Sequence, residues 1–286
     1  MEEKLKIAIQ KSGRLQEKTI KLLQECGLSF SISTNKLKTE SRNFPAEILF
    51  LRDDDIPQYV QDGVADIGIV GENVYIEKEK KVDLTERLGF AKCRLSLAIP
   101  KGDEYSGTES LQGKRIATSY PVIIQKFLEK KNITAEIHEI SGSVEIAPGI
   151  GLADAICDIV STGSTLLSNG LQEVETVITS EAVLISNPGL SEQKQEILNK
   201  LIFRIKSVKA AKDNKYLLLN APNESIDAIT DVLPGMKSPT VTPLRQEGWS
   251  SLHSVVKEDD FWNKIDELKS LGAQGILVIP IEKMIL

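Results

Sequence analysis

Histidine and cysteine are both scarce in this chain of 286 residues. The 2 histidines, His138 and His253, have charged or unremarkable neighbours and read as surface residues, so acid–base chemistry built on histidine is not indicated. The 3 cysteines, Cys26, Cys93 and Cys157, are far apart and form no CxxC pair, which excludes a disulfide framework and a cysteine zinc site. Reduced, buried thiols in a cytosolic protein are expected instead. Basic excess is also missing. Lys plus Arg is 35 against 41 Asp plus Glu, a net charge of −6, so no general footprint for nucleic acid or an anionic membrane exists. Long hydrophobic runs are absent as well. The most apolar tail stretch, Gly275 to Ile281, is far short of the roughly 20 residues a membrane span needs. Met1-Glu2-Glu3-Lys4-Leu5 passes straight into a charged strand pattern with no apolar signal core, so a cytoplasmic location is expected. Gly and Pro are scattered throughout, which rules out a coiled coil.

What is present is ordinary globular composition, 41% hydrophobic and 27% charged, at a length suited to two or three domains. Leu5, Ile7 and Ile9 alternate as in a strand. Ser12 is a helix cap candidate, and Leu15, Thr19, Leu22, Leu23 and Cys26 share a helical face closed by Gly27. Further strands are predicted at Ala46–Leu51, Asp66–Gly71, Leu95–Ile99, Lys114–Thr118, Ala135–Ile140, Asp158–Val160 and Val177–Ile185. Helices are predicted at Ile56–Asp62, Pro121–Lys131, Leu152–Cys157 and Glu192–Ala211. Alternating strands and helices imply α/β architecture with parallel strands. After Lys212-Asp213-Asn214 the order becomes strand, helix, strand, strand, helix, strand, the βαββαβ plan of ferredoxin-like modules. Trp249 and Trp262 are expected to pack inside that module.

The stretch Asp158-Ile159-Val160-Ser161-Thr162-Gly163-Ser164-Thr165 holds the chemistry. An apolar strand ends in five small hydrogen-bonding residues ahead of a helical run. Such a loop lets backbone N–H groups and hydroxyls converge on a phosphate, with the helix start adding positive potential. No Lys follows the last Gly, so it is not a Walker A loop. Asp158, with Asp154 as a second candidate, is placed for sugar hydroxyls, and phosphate plus sugar suggests a ribose 5-phosphate. Lys11 and Arg14 lie at a helix start, where cations are electrostatically unfavourable unless an anionic ligand is there. Arg52 ends a strand beside Asp53-Asp54-Asp55, and pairing with them is the alternative to a ligand. That acidic run reads as a cap on the helix at Ile56-Pro57.

Glu145, Gly151, Ala153, Ile156, Asp158, Ile159, Thr162, Gly163, Thr165 and Leu166 reproduce the signature spacing of the ATP phosphoribosyltransferase family. Ile9–Leu15, Arg52–Pro57, Asp66–Asn73, Lys114–Pro121 and Ile281–Met284 also resemble that family, so the likeness spans essentially the whole chain. It implies a two-lobed, periplasmic-binding-protein-like catalytic region, with residues 1–95 and 179–212 in lobe I and 96–178 in lobe II. It also implies an ACT-like regulatory domain at 213–286, the mark of the long form. The implied reaction joins ATP to phosphoribosyl pyrophosphate, with magnesium carried mainly by substrate phosphates and no protein ligand to the metal assigned. In this frame Ser161, Thr162, Gly163, Ser164 and Thr165 cradle the 5-phosphate, and Asp154 and Asp158 hold the ribose. Arg52, Lys11 and Lys36 are the implied catalytic cations, although the family usually has Arg where Lys36 stands. Arg14, Gly71, Glu72 and Asn73 would meet ATP. Feedback inhibition by histidine at Met236, Thr240, Val255 and Gly275, and homo-oligomers from dimer to hexamer, are further implications. Two other readings remain: a two-lobed solute-binding protein, and a metabolite sensor using the C-terminal module alone.

Overall fold

The computed structural model describes residues 3–32, 36–233, 235, 236 and 238–285. It divides into two compact units, Met1–Asn199 and Lys200–Leu286. The chain opens with strand β1 (Leu5–Gln10), helix α1 (Arg14–Glu25), strands β2 (Lys38–Glu40) and β3 (Ala46–Leu51), helix α2 (Ile56–Gln61), strand β4 (Ile67–Gly71), helix α3 (Glu72–Lys78) and strand β5 (Asp83–Arg87). It continues with β6 (Cys93–Pro100), β7 (Arg115–Thr118), α4 (Pro121–Lys130), β8 (Glu136–Glu139), β9 (Ala155–Val160), α5 (Ser164–Ser168), β10 (Leu171–Ser180) and β11 (Ala182–Ser186). Helix α6 (Glu192–Lys212) leads to β12 (Asn214–Pro222), α7 (Ile226–Val232), β13 (Thr240–Pro243), β14 (Trp249–Lys257), α8 (Glu258–Ser270) and β15 (Gln274–Pro280).

The first unit holds two sheets, ordered β2-β3-β1-β4-β11-β5 and β10-β6-β9-β7-β8. β1 pairs in parallel with β3 and β4, and β9 with β7, as βαβ crossovers require. The chain passes to the second sheet after β5 and returns between β10 and β11, so each sheet forms a lobe. Their cores are separate. Ile56, Val60, Val70, Val74 and Val183 belong to one buried cluster, and Leu97, Ile116, Ile123, Ile124 and Leu128 to another. A fully buried Leu or Ile contributes about 1.5–3 kcal/mol, so each lobe has a substantial core of its own.

The second unit has one antiparallel sheet, β13-β14-β12-β15, with α7 and α8 packed against it through Ile229, Phe261 and Leu268. Its βαββαβ order is the predicted one, and a strand from each βαβ half lies at the centre of the sheet.

Several local expectations are corrected. Leu152–Cys157 is not a helix; β9 begins at Ala155, and its first three residues are fully buried. A short apolar run buried on both faces has no period that separates strand from helix. Val177–Ile185 is two strands broken at Glu181. Ser12 does not cap α1: the cap position is Gly13, with no side-chain hydrogen bond. Helix α3 occupies what reads as loop. Trp262 does not pack inside the module; it is 64% exposed, edge-on to Phe261. The histidines are partly buried; His138 Nε2 has no hydrogen-bond partner, whereas both ring nitrogens of His253 have one. His138 faces Glu136 at 3.0 Å, and His253 lies between Tyr216 and Ser251.

Candidate active site

Register alone gathers the cations of the first lobe. β1 runs parallel to β3 with Gln10 opposite Leu51, and the Lys11 N–H donates to the Leu51 carbonyl at 2.8 Å. β2 runs antiparallel to β3 with Lys38 opposite Leu49, which brings Lys36 beside the same strand end. β4 runs parallel to β1 with Ile69 opposite Ile9. Lys36, Arg52, Lys11 and Gly71 therefore stand in sequence along one edge, across three interstrand spacings or roughly 14 Å. Arg14 opens α1 at the same edge. All four cations are exposed. None has an ion-pair partner among the described residues, so Arg52 does not pair with the neighbouring aspartates. Four uncompensated cations at strand ends give this edge a positive potential.

Asp53 is different from the cap it is read as. Asp53–Asp55 form a single 3-10 turn, and no side chain caps α2. The Asp53 Oδ1 atom is buried without a hydrogen-bond partner. Burial, then the charge of Asp54, push its carboxyl up to about 6.

In the second lobe β9 ends in the small-residue loop. Gly163 adopts φ +82°, a left-handed conformation that a larger residue would strain, and this turns the chain into α5. The Thr162 and Ser164 hydroxyls meet at 3.1 Å, and Ser161, Thr162, Ser164 and Thr165 are exposed. Burial and, to a lesser degree, Glu145 raise the carboxyl of Asp158, while the Ile159 N–H opposes them.

Tyr120 joins the two lobes. It is not among the site residues expected from the sequence, although it falls within the Lys114–Pro121 segment. Its hydroxyl accepts from Asn73 Nδ2 at 3.2 Å. Burial and the charge of Asp158, with smaller contributions from Asp53 and Asp54, raise the phenol. One side chain thus senses acids from both lobes. The signal that could have found it is its place directly after β7, since sites in such sheets collect at strand C-termini.

Two expected ligands face elsewhere. Asp154 precedes β9, at the opposite end of that strand from the loop, roughly 20 Å away by strand rise. Its carboxylate takes the Arg115 guanidinium at 2.8 Å and the Arg115 N–H at 2.9 Å, which holds it at about 2. Glu72 is buried and bound through both oxygens to the Arg87 guanidinium on β5. Asn73 is held at the lobe junction: its N–H donates to Ser180 Oγ at 3.0 Å, and its Oδ1 accepts from that hydroxyl at 2.9 Å. Gly71 leaves space for this arrangement, because a Cβ there would stand 2.3 Å from Asn73 Oδ1.

In the second unit Met236 and Val255 line a cavity of about 390 Å³ together with Lys257, Asp260 and Asn263. Thr240 opens β13, opposite His253 of β14. Gly275 does not join them. It lies on β15, the other edge of the sheet, at φ +58° beside an irregularity in the β12 pairing.

Two α/β lobes, each built on its own sheet and joined by chain crossings between the sheets, define the class of fold to which the first unit belongs. Among solved structures, Tv2483 bound to L-arginine has the same fold, with TM-score 0.50 at 13% identity over 72% of this chain and 84% of that one. A chain of the ATP phosphoribosyl transferase (HisG:HisZ) complex from Thermotoga maritima matches with TM-score 0.61 and 33% identity, over 71% of this chain and 96% of that one. The ATP phosphoribosyltransferase family model matches residues 52–207, and the model of its C-terminal domain matches 211–283. Curated ATP phosphoribosyltransferases from Cytophaga hutchinsonii and Phocaeicola vulgatus are 63% and 61% identical. They align over 98% and 99% of this chain, and over 98% and 100% of their own lengths. The chain belongs to the ATP phosphoribosyltransferase family, whose reaction is the first step of histidine biosynthesis.

Proposed function

We propose that the cleft joins N1 of ATP to the anomeric carbon of 5-phosphoribosyl 1-pyrophosphate, giving phosphoribosyl-ATP and pyrophosphate. The observation that carries this reading is the row of unpaired cations on one lobe combined with a small-residue loop on the other. In this mechanism Ser161–Thr165 hold the 5-phosphate and Asp158 the ribose hydroxyls. Arg52, Lys11 and Lys36 meet the pyrophosphate, whose charge grows as the anomeric bond breaks. Arg14, Gly71 and Asn73 border the nucleotide, and Tyr120 stands between the two substrates. No covalent nucleophile is needed: catalysis comes from alignment and from charge preorganised around the leaving group. Magnesium would arrive on the substrate phosphates and offset their charge. Asp53, with its unpartnered buried oxygen, is the carboxylate that fits such a complex. Glu72 and Asp154 act structurally, through Arg87 and Arg115.

The second unit is read as the regulatory module, with histidine entering the cavity bounded by Met236 and Val255. Asp260 and Lys257 offer opposite charges to an amino acid's two ends. Cytoplasmic homo-oligomers, dimer to hexamer, complete the proposal. The test is pyrophosphate release. It is expected only when ATP and phosphoribosyl pyrophosphate are supplied together; a binding protein releases none.

A further inference from the structure

Helix α4 begins Tyr120-Pro121, and this start cannot cap itself. Tyr120 makes no side-chain cap bond, and Pro121 has no N–H. The next two donors, the N–H groups of Val122 and Ile123, are satisfied from the other lobe. They donate to Glu77 Oε1 at 2.9 Å and Oε2 at 3.0 Å. Glu77 lies on α3, is 8% exposed, and so spends both carboxylate oxygens on a helix it does not belong to. An anion at a helix N-terminus is favoured by the free donors and the dipole together. Around this contact the same helix sends Ile76 against the second lobe's core and Asn73 to Tyr120, while Glu79, just past its end, pairs with Lys126 of α4.

The residue directly before α4 is Tyr120, whose hydroxyl accepts from Asn73 of the opposite lobe and which feels the charge of Asp158. We infer that Glu77 is a positioning residue for phosphoribosyl transfer: by capping α4 from the opposite lobe it sets Tyr120 between the two halves of the cleft. This rests on the transferase reading of the cleft. Glu77 touches no substrate group; it acts through the start of α4. The residues assigned to phosphate contact stay in place without it, so its loss acts on kcat more than on KM.

The experiment uses the full chain with Glu77→Ala and Glu77→Gln, plus Asp66→Asn as a control for stability. Asp66 is a buried carboxylate on the first lobe's far side, bonded to the Lys6 N–H and the Lys194 ammonium. Each protein is assayed at the same margin below its own unfolding midpoint. Glu77→Ala is expected to lower kcat roughly tenfold to hundredfold, the scale of a misplacement near 1 Å, with a smaller change in KM. Glu77→Gln keeps one acceptor oxygen and should fall between Ala and the parent. Asp66→Asn should keep the parent kcat. Hydrogen exchange at the Val122 and Ile123 amides should accelerate in Glu77→Ala while β7 and β9 stay protected. Parent-like kcat in Glu77→Ala, or an equal loss in Asp66→Asn, overturns the inference. If Glu77→Ala is insoluble, Glu77→Gln decides, and a parent-like rate there overturns it equally. Unchanged amide exchange overturns the cap whatever the activity, whereas a parent that releases no pyrophosphate defeats the transferase reading instead.

Discussion

Asp53 carries a pH signature of its own. Its carboxyl is raised from 3.8 to about 6, so the folded chain holds that proton more tightly than the unfolded chain does. The sign is opposite to that of a salt-bridged acid: stability is lost as pH rises from about 4 to about 6, and the penalty stays above that. Asp53→Asn should therefore be more stable than the parent at pH 7.5, by up to about 3 kcal/mol, and should converge with it below pH 4. Urea unfolding at the two pH values checks this; a gap independent of pH would show that Asp53 does not titrate as described. Arg52 poses a question of shape. Its guanidinium is exposed and unpaired among the described residues. Arg52→Lys retains charge and loses the planar fork, so kcat should fall by more than ground-state affinity does. Steady-state kinetics with both substrates varied separates the two. Thr162→Val removes one hydroxyl from the loop and should weaken phosphoribosyl pyrophosphate by roughly 1.5–3 kcal/mol, with little change in unfolding midpoint. Calorimetric titration that finds parent affinity in the Val variant would reduce the loop to a simple turn.

At the scale of elements, the end of β4 and the start of α3 work as one joint. Gly71 is partly exposed at the cleft, and what it tolerates is set by Asn73, whose side chain folds back over it to reach Ser180 and Tyr120. A methyl at position 71 and that Asn73 rotamer cannot coexist at 2.3 Å. Gly71→Ala should cost about 1–3 kcal/mol through the buried groups left unpaired, and lower affinity for ATP as well. Thermal unfolding together with ATP titration checks both effects; an Ala variant matching the parent in each would mean that Asn73 has another comfortable rotamer. The same joint explains why α3 is hard to read. Its 7 residues include Glu72, Asn73 and Glu77, polar side chains buried by partners from β5, β10 and α4 rather than by local pattern.

For the whole molecule, the proposed division of labour gives one clear expectation. A chain ending at Lys212 keeps α6 and both lobes and lacks the βαββαβ sheet. It should retain pyrophosphate release and lose inhibition by histidine, a comparison made by assaying both chains across a histidine titration. Inhibition that survives the truncation would place the effector in the lobes. Histidine must bind the inhibited state better than the active one to act at all. The described residues contain no helix long and apolar enough to cross a membrane, in keeping with the short apolar runs.

Much of this was legible from residues alone. Leu5–Ile9, Ala46–Leu51 and the Glu192 helix declare themselves by period, and the Asp158–Thr165 stretch by the rarity of so many small donors after an apolar strand. The βαββαβ module is equally plain, since three of its strands stop at a proline, Pro222, Pro243 and Pro280, and Gly272 follows its second helix. Partners could not be read in the same way. Whether Asp154 and Glu72 point into the cleft depends on where Arg115 and Arg87 stand, and a cation within reach captures a carboxylate however well its neighbours match a motif. Asp53 looks like a cap until the packing around it removes its water. Local chemistry depends on which residues the chain contains; burial and pairing depend on what the fold brings from elsewhere, from 15 residues away for Arg87 and Glu72 to 107 for Ser180 and Asn73.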